Sequence, residues 1–205
     1  MRIKLKLFQV LVGAAIAIVS ITGYEIFSTS QTNTKKTIPL VGNALWPSHF
    51  KKAPNFTLID QKGHNFSLSK QKGKVVLVTF MDSLCTTTCP IEAQQLASIE
   101  NKIKNLPVEV VVVSTDPQGD TASNIDAFAQ RYGWNMKWYW LNGTLGQISK
   151  VWSNYKISVQ SASGHSTAVY LISKSGYERV GLGVPFGKRE IIHDLKLLSK
   201  ASTPR

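Results

Sequence analysis

The sequence predicts an α/β domain in which a central mixed β-sheet is flanked by helices on both faces. Two runs, Lys74 to Met81 and Val108 to Thr115, are largely apolar and rich in β-branched residues, as expected for strands buried on both faces. A segment with helical spacing of apolar residues, from Pro90 to Leu106, lies between them and completes a β–α–β order. A chain of 205 residues is long enough for one such domain with a short appendage.

The other predicted elements alternate along the chain in the same way. A strand from Asn55 to Ile59, a turn, and a returning strand from Asn65 to Leu68 form a hairpin before the first buried strand. The later predicted elements are a helix over Thr121 to Tyr132, a strand over Trp138 to Leu141, a helix over Leu145 to Tyr155, strands over Ala168 to Ile172 and Tyr177 to Gly183, and a helix over Lys188 to Lys200. This order matches a mixed sheet with a helical layer on each side.

The N-terminus predicts a signal or transmembrane anchor. Basic residues between Met1 and Lys6 precede an apolar run from Leu7 to Tyr24, which is 18 residues long and close to the length that spans a bilayer. Because the basic flank stays on the cytoplasmic side, the rest of the chain is expected on the extracytoplasmic side of a cell membrane. We expect an anchor over residues 1–26, a polar tether over 27–50 and the folded domain over 51–205.

The charge of the chain is strongly basic, with 24 Lys and Arg against 12 Asp and Glu and a net charge of +12. The basic residues are scattered and form no recognised nucleic-acid-binding motif. This distribution favours a solvated basic surface that can lie near anionic lipid or an acidic partner, and we expect no nucleic acid as a partner.

The chain has two cysteines, Cys85 and Cys89, placed between the first buried strand and the helix that follows. Pro90 favours a first helical turn, and a helix N-terminus lowers the pKa of a nearby thiol. Thiolates attack disulfides and bind soft metals, and a spacing of three intervening residues permits either a disulfide or a shared metal ion. A pair of inert buried cysteines is disfavoured by this position before a helix.

Four stretches resemble the Sco/SenC family and occur in the order found in that family. They are Phe80-(4)-Cys85-(3)-Cys89-Pro90, Val113-Ser114-Thr115-Asp116-Pro117-(2)-Asp120-Thr121, Trp140-Leu141-Asn142-Gly143, and Gly164-His165-Ser166 followed by the apolar strand to Ile172. The resemblance spans most of residues 50–200 and implies a thioredoxin-like fold.

This resemblance implies that Cys85, Cys89 and His165 bind copper, as Cu(I) or Cu(II), and that the two cysteines also form a redox-active pair. Thiolates suit Cu(I), and an added imidazole also accommodates Cu(II). The implied function is that of a metallochaperone and thiol-redox protein for maturation of the copper centre of cytochrome c oxidase, and thiol–disulfide reductase activity stays open beside copper delivery. Its implied partners are the copper-bearing oxidase subunit, a copper donor protein or thiol reductase, and the membrane.

The remaining candidate residues have more ordinary interpretations. Asp116 follows the second buried strand and is expected to lie behind the metal ligands or to face a partner, whereas Asp120 is expected to cap the next helix. The other histidines, at positions 49, 64 and 193, are expected to be ordinary surface residues.

The alternative function is that of a membrane-anchored thiol–disulfide oxidoreductase of the ResA/TlpA type, or a peroxiredoxin-like reductase, since one fold hosts many activities. Thioredoxin-like reductases resemble one another in having two residues between the cysteines and a cis-proline before the strand that faces them. This chain has three intervening residues and no proline between Gln160 and Thr167. A membrane redox sensor is a third alternative, but a cytoplasmic tail of only about six residues offers little to signal with.

Overall fold

The computed structural model describes residues 39–135, 137–161 and 164–201 of the chain. The predicted anchor lies outside these residues, as does the first part of the predicted tether. Within the described ranges, no helix combines the length and the apolar character that crossing a membrane requires.

The described elements alternate between strands and helices after an N-terminal set of short strands. In chain order they are β1 (Ala44–Leu45), β2 (Lys51–Lys52), β3 (Thr57–Asp60), β4 (Asn65–Ser67), a 3-10 turn (Leu68–Gln71), β5 (Val75–Met81), α1 (Thr88–Ile103), β6 (Val108–Ser114), α2 (Ala122–Arg131), β7 (Trp138–Asn142), α3 (Leu145–Asn154), β8 (Val159–Ser161), β9 (Gly164–His165), β10 (Val169–Ile172), β11 (Tyr177–Leu182) and α4 (Lys188–Lys200).

The central sheet has the strand order β1-β11-β10-β5-β6-β7-β3-β4, with β2 also paired to β11. Strands β5, β6 and β7 run parallel, while β10 runs antiparallel to β5 with Tyr170 opposite Val78. The hairpin of β8 and β9 stands apart from this sheet. The carboxyl ends of the three parallel strands therefore share one edge, and β10 begins at that same edge.

Strand β5 is buried at all seven positions, and its side chains alternate between two cores. Leu77 packs into the layer that contains buried residues of α1, α2 and α4, and Phe80 packs into the layer that contains those of α3 and the β3–β4 hairpin. This two-sided burial explains why the sequence of β5 shows an apolar run instead of polar alternation.

The predicted mixed sheet with helices on both faces is confirmed. Helix α1 begins at Thr88, two residues before the predicted start, so that Cys89 lies in its first turn. The short strands β1, β2, β8 and β9 were not predicted, because two or three residues are too few to show a periodic pattern.

The folded domain begins earlier than the predicted boundary at residue 51. The compact unit starts at Pro39, and β1 pairs with β11 at the edge of the sheet. The amide groups of Val41 and Gly42 each donate a hydrogen bond of 3.0 Å to the carboxylate of Asp194, which is buried on α4. This carboxylate attaches the segment before β1 to the C-terminal helix, a long-range contact that no local pattern reveals.

We expect Asp194→Ala to lower the free energy of unfolding by about 2–4 kcal/mol, because two amide groups would lose a charged acceptor in a buried site. Chemical denaturation followed by circular dichroism measures this change. The matched control is Asp126→Ala on the exposed side of α2, which should stay within about 0.5 kcal/mol of the wild type. Equal effects of the two substitutions would contradict the role given to Asp194.

Candidate metal centre

The two cysteines lie at the carboxyl end of β5, where the chain leaves the sheet through residues 82–87 and enters α1. Cys85 lies in this loop with 7% of its surface exposed, and Cys89 is fully buried in the first turn of the helix. Both are free thiols. The pair therefore sits just beneath the surface, at the edge where open α/β sheets place their binding sites.

Asp82 shapes the cysteine loop from within. Its carboxylate accepts a hydrogen bond of 2.7 Å from the amide of Leu84, and its carbonyl oxygen accepts one of 3.2 Å from the amide of Cys85. The amide of Asp82 points at the sulfur of Cys89 at 3.5 Å. Burial raises the pKa of the Asp82 carboxyl, the Leu84 hydrogen bond opposes this, and the charge of Asp116 raises it further.

Asp120 lies outside the cysteine loop in the sequence and binds the backbone of that loop. Its predicted role as a helix cap is therefore wrong. Its carboxylate accepts hydrogen bonds from the amide of Ser83 at 2.8 Å and from the indole of Trp140 at 3.0 Å. The cap of α2 is Thr121, whose hydroxyl accepts a hydrogen bond from the amide of Asn124 at 3.2 Å. Both Asp and Thr can cap a helix, and the tertiary contact with the cysteine loop decides between them.

Asp116 is half-buried at the start of the β6–α2 loop. It is close enough for its charge to raise the pKa of Asp82, but among the described residues its carboxylate makes no hydrogen bond to Cys85, Cys89 or His165. Its predicted position behind the ligands stays a prediction.

His165 reaches the cysteines from the other side of the site. It lies on β9, paired with Val159 of β8, just before the chain enters β10. Its Nδ1 lies 3.1 Å from the carbonyl oxygen of Ser166, which can only accept a hydrogen bond. In the neutral ring Nδ1 therefore carries the proton, and Nε2 presents its lone pair to the sulfur of Cys89 at 3.5 Å.

The sulfur atoms of Cys85 and Cys89 and a ring nitrogen of His165 all lie within 4.8 Å of one another. In the part of the chain that the structure describes, this is the one group of three or more such side chains that could hold a metal ion. The structure thus brings His165 to two cysteines that precede it in the sequence by 76 positions (Cys89) and by 80 positions (Cys85).

The other histidines have surroundings of a different kind. The ring of His49 packs edge-on against Tyr177, and exposed His64 lies 3.4 Å from the carboxylate of Asp60. His193 is half-buried on α4 beside Asp194. Each of them has a protein partner away from the cysteine loop.

The two thiols differ strongly in acidity. Burial alone would raise the pKa of Cys85, but hydrogen bonds from Thr87 and from the amide of Cys89 outweigh it and lower that pKa below its ordinary value. Deeper burial raises the pKa of Cys89 well above its ordinary value, and negative charge on Cys85 raises it further. The thiolate of Cys85 therefore forms at a lower pH than that of Cys89.

A buried carboxyl that sequence reasoning missed lies one helical turn beyond Cys89. Glu92 is fully buried, and burial raises its pKa to about 7 against the hydrogen bonds from the hydroxyls of Thr79 and Thr167. The signal was present in the sequence, because position 92 falls on the buried stripe of α1 defined by Cys89 and Leu96. An acidic residue on such a stripe indicates a specific polar contact.

A strand that delivers a cysteine pair to a helix N-terminus, with a histidine facing both sulfurs, defines a thioredoxin-like protein with a dithiol–imidazole site. The family model described as SCO1/SenC matches residues 47–198. The chain belongs to the SCO1/SenC family.

Individual relatives include Sco proteins and also a peroxiredoxin. The chain is 29% identical over 140 residues to a SCO1 protein homolog of Bacillus subtilis, covering 63% of this chain and 72% of the relative. It is also 30% identical over 175 residues to the chloroplastic peroxiredoxin Q of Sedum lineare, covering 84% of this chain and 90% of the relative. The crystal structure of Arabidopsis thaliana ScoI with copper bound is similar in fold, with a TM-score of 0.62, 23% identity and coverage of 73% of this chain and 99% of that one.

We expect the reduced protein to be alkylated by iodoacetamide first at Cys85, because the thiolate is the reactive form. In Cys89→Ser, the alkylation rate of the remaining Cys85 should rise with pH through a midpoint below that of an ordinary thiol. In Cys85→Ser, the remaining Cys89 should react slowly up to about pH 9. Mass spectrometry of quenched samples measures both rates. Faster alkylation of Cys89 than of Cys85 would contradict this assignment.

We expect Glu92 to make the folded state less stable as pH rises from about 5 to 8. Its folded pKa of about 7 lies above its ordinary value of 4.5, so the folded state holds a proton that the unfolded state has released, and stability falls with rising pH. Denaturation at several pH values should show a loss of about 2–3 kcal/mol in the wild type relative to Glu92→Gln, which cannot titrate there. Parallel pH profiles of the two proteins would refute the buried, protonated state.

Proposed function

We propose that this protein binds one copper ion through Cys85, Cys89 and His165 and delivers it to the copper-bearing subunit of cytochrome c oxidase. The observation that carries this proposal is the convergence of two sulfur atoms and one imidazole nitrogen within 4.8 Å at the surface edge of the sheet. The copper ion is the cargo of the protein.

The donor set fits copper better than harder ions. Two thiolates are soft ligands that suit Cu(I), and the imidazole adds a donor that Cu(II) also accepts. The lone pair of Nε2 is already directed towards Cys89, since the Ser166 carbonyl occupies the other ring nitrogen. Metal binding requires both cysteines as thiolates and therefore releases the proton of Cys89, while the lowered pKa of Cys85 favours its thiolate.

Three protein ligands leave room for a ligand from a partner, which is what transfer by ligand exchange requires. An acceptor thiol can bind the ion before the last protein sulfur leaves, so that the copper never becomes free. Membership of the SCO1/SenC family and the copper-bound state of the related Arabidopsis structure support this proposal.

We also propose that the domain works on the extracytoplasmic side of a cell membrane, held there by the apolar segment of residues 7–24. The support is the basic flank before that segment and its bilayer-spanning length. Its other proposed partners are a copper donor protein and a thiol reductase that keeps the cysteines reduced.

A second candidate function is thiol–disulfide exchange with a partner's cysteines. The difference in pKa between the two thiols favours this function. Cys85, whose pKa is lowered, can attack a disulfide, and Cys89 can then resolve the mixed disulfide. The net step transfers two electrons and two protons to the partner disulfide and leaves a Cys85–Cys89 disulfide. The likeness to peroxiredoxin Q is consistent with redox chemistry at this site.

We expect the reduced full chain in detergent to bind one Cu(I) per molecule, measured by anaerobic competition with a chromophoric chelator. Loss of either cysteine should weaken Cu(I) binding by more than about 100-fold, since even loss of an outer partner of a metal ligand costs about 10–100-fold. His165→Ala should spare Cu(I) binding more than Cu(II) binding and should abolish the wild-type thiolate-to-Cu(II) absorption band.

The matched control for the histidine is His64→Ala, which removes an exposed imidazole from another part of the surface and should leave both copper affinities unchanged. Absence of tight copper binding in the wild type, together with rapid reduction of disulfide substrates, would replace copper delivery by the second candidate function. Equal losses in the two histidine variants would remove His165 from the ligand set.

A further inference from the structure

The segment that joins His165 to the central sheet has little backbone support of its own. Residues 166–168 form no strand, and the β5–β10 ladder begins only at the pair of Val78 and Tyr170. The amide of Ser166 donates a hydrogen bond to Ser158, which ties this residue to the β8–β9 hairpin rather than to the sheet. The position of the imidazole relative to the sulfurs therefore depends on side-chain contacts.

Two threonine hydroxyls provide those contacts where the ladder is missing. The hydroxyl of Thr167 lies 3.0 Å from the carbonyl oxygen of Phe80, and the hydroxyl of Thr79 lies 3.4 Å from the carbonyl oxygen of Ala168. Each hydroxyl also contacts one carboxyl oxygen of Glu92, that of Thr167 at 2.9 Å. Glu92 thus joins β5 and the segment after His165 to helix α1, which carries Cys89.

A protonated carboxyl group on Glu92 lets three of the four oxygen contacts in this network be hydrogen bonds. Each threonine hydroxyl has one proton to donate, yet the two hydroxyls face four oxygen atoms, two of Glu92 and one each of Phe80 and Ala168. A protonated carboxyl supplies a third proton by donating to one hydroxyl, which then donates to its backbone carbonyl. A carboxamide can do the same, because its nitrogen donates and its oxygen accepts.

The cost of burying Glu92 argues that the contact is functional. Its neighbours on the buried stripe of α1 are Ala93, Leu96 and Ile99, where an apolar side chain would pack without any desolvation cost. Its polar contacts are hydrogen bonds with two threonines, and among the described residues no cation pairs with it. Sheet stability alone does not require an acid at this position.

We propose that Glu92 is a positioning residue for the metal site, holding the segment 165–168 through Thr167 and Thr79 so that Nε2 of His165 stays within reach of both sulfurs. This inference rests on the proposed function, because it gives Glu92 a role in the same site. Glu92 touches no ligand atom and acts by orientation.

The test compares Glu92→Leu with Glu92→Gln in the full chain in detergent. Glu92→Leu should keep Cu(I) affinity within about tenfold, since the thiolates remain, and should lose the thiolate-to-Cu(II) absorption band and the imidazole nitrogen coupling in the Cu(II) electron paramagnetic resonance spectrum. Glu92→Gln should restore both signals. In the metal-free protein, the amide of Ser166 should exchange its hydrogen at least about tenfold faster in Glu92→Leu than in the wild type.

The matched control is Glu100→Leu, two turns further along α1, where the carboxylate contacts the amide of Asn135 instead of the His165 segment. It should leave the spectra and the exchange rate unchanged. If Glu92→Leu does not fold, Thr167→Val provides the same test by removing a single hydroxyl, and it should reproduce the faster exchange and the lost imidazole signal.

The positioning role would be overturned if Glu92→Leu and Thr167→Val both had the same Cu(II) spectra and the same Ser166 exchange rate as the wild type. If the wild type bound no copper, the proposed function would fail, while the exchange rate of Ser166 in the metal-free protein would still decide whether Glu92 holds this segment.

Discussion

The burial of β5 on both faces and along both edges leaves its carboxyl end as the place where this strand can carry polar chemistry. Neighbours β6 and β10 use its backbone hydrogen bonds, and helical layers cover its side chains. The loop after Met81 therefore has to carry the first cysteine, and the helix that packs back onto the sheet carries the second. Because β10 runs antiparallel to β5, the chain just before β10, with His165, returns to the same place.

Three carboxyl groups hold the cysteine loop and the segment after His165 in place. Asp82 folds the cysteine loop around itself, Asp120 joins the loop to α2 and β7, and Glu92 lies beneath Cys89 against the segment after His165. All three are buried, and burial raises the pKa of each. Isolated buried acids are costly, but acids that accept hydrogen bonds from several elements fix the relative positions of those elements.

How far the sequence predicts this structure depends on how local each signal is. The buried strands and the helix after the cysteines follow from apolar patterns within single segments, and the sheet with two helical layers follows from their order. The cysteine pair is recognisable because both residues lie in one short loop. His165 lies 76 residues beyond Cys89, so spacing alone does not select it, and the family resemblance did.

The features that the sequence did not predict depend on contacts between distant segments. Strand β1 exists because β11 offers it an edge, and Asp120 turns from α2 to the cysteine loop because the amide of Ser83 is there to bind. Glu92 lies on the buried stripe of α1 but is not apolar, so the apolar pattern alone does not reveal it. A polar residue on an apolar stripe is as informative as the stripe itself.

The hydrogen bond between Trp140 and Asp120 links the cysteine loop to the optical properties of the protein. The indole of Trp140 is fully buried, stacks edge-on against Phe128, and shares its carboxylate partner with the backbone of the cysteine loop. A rearrangement of that loop changes the electric field at the indole, and thus the energy of its excited state. The protein therefore contains an intrinsic fluorophore that is connected to the cysteine loop through two hydrogen bonds, both to Asp120.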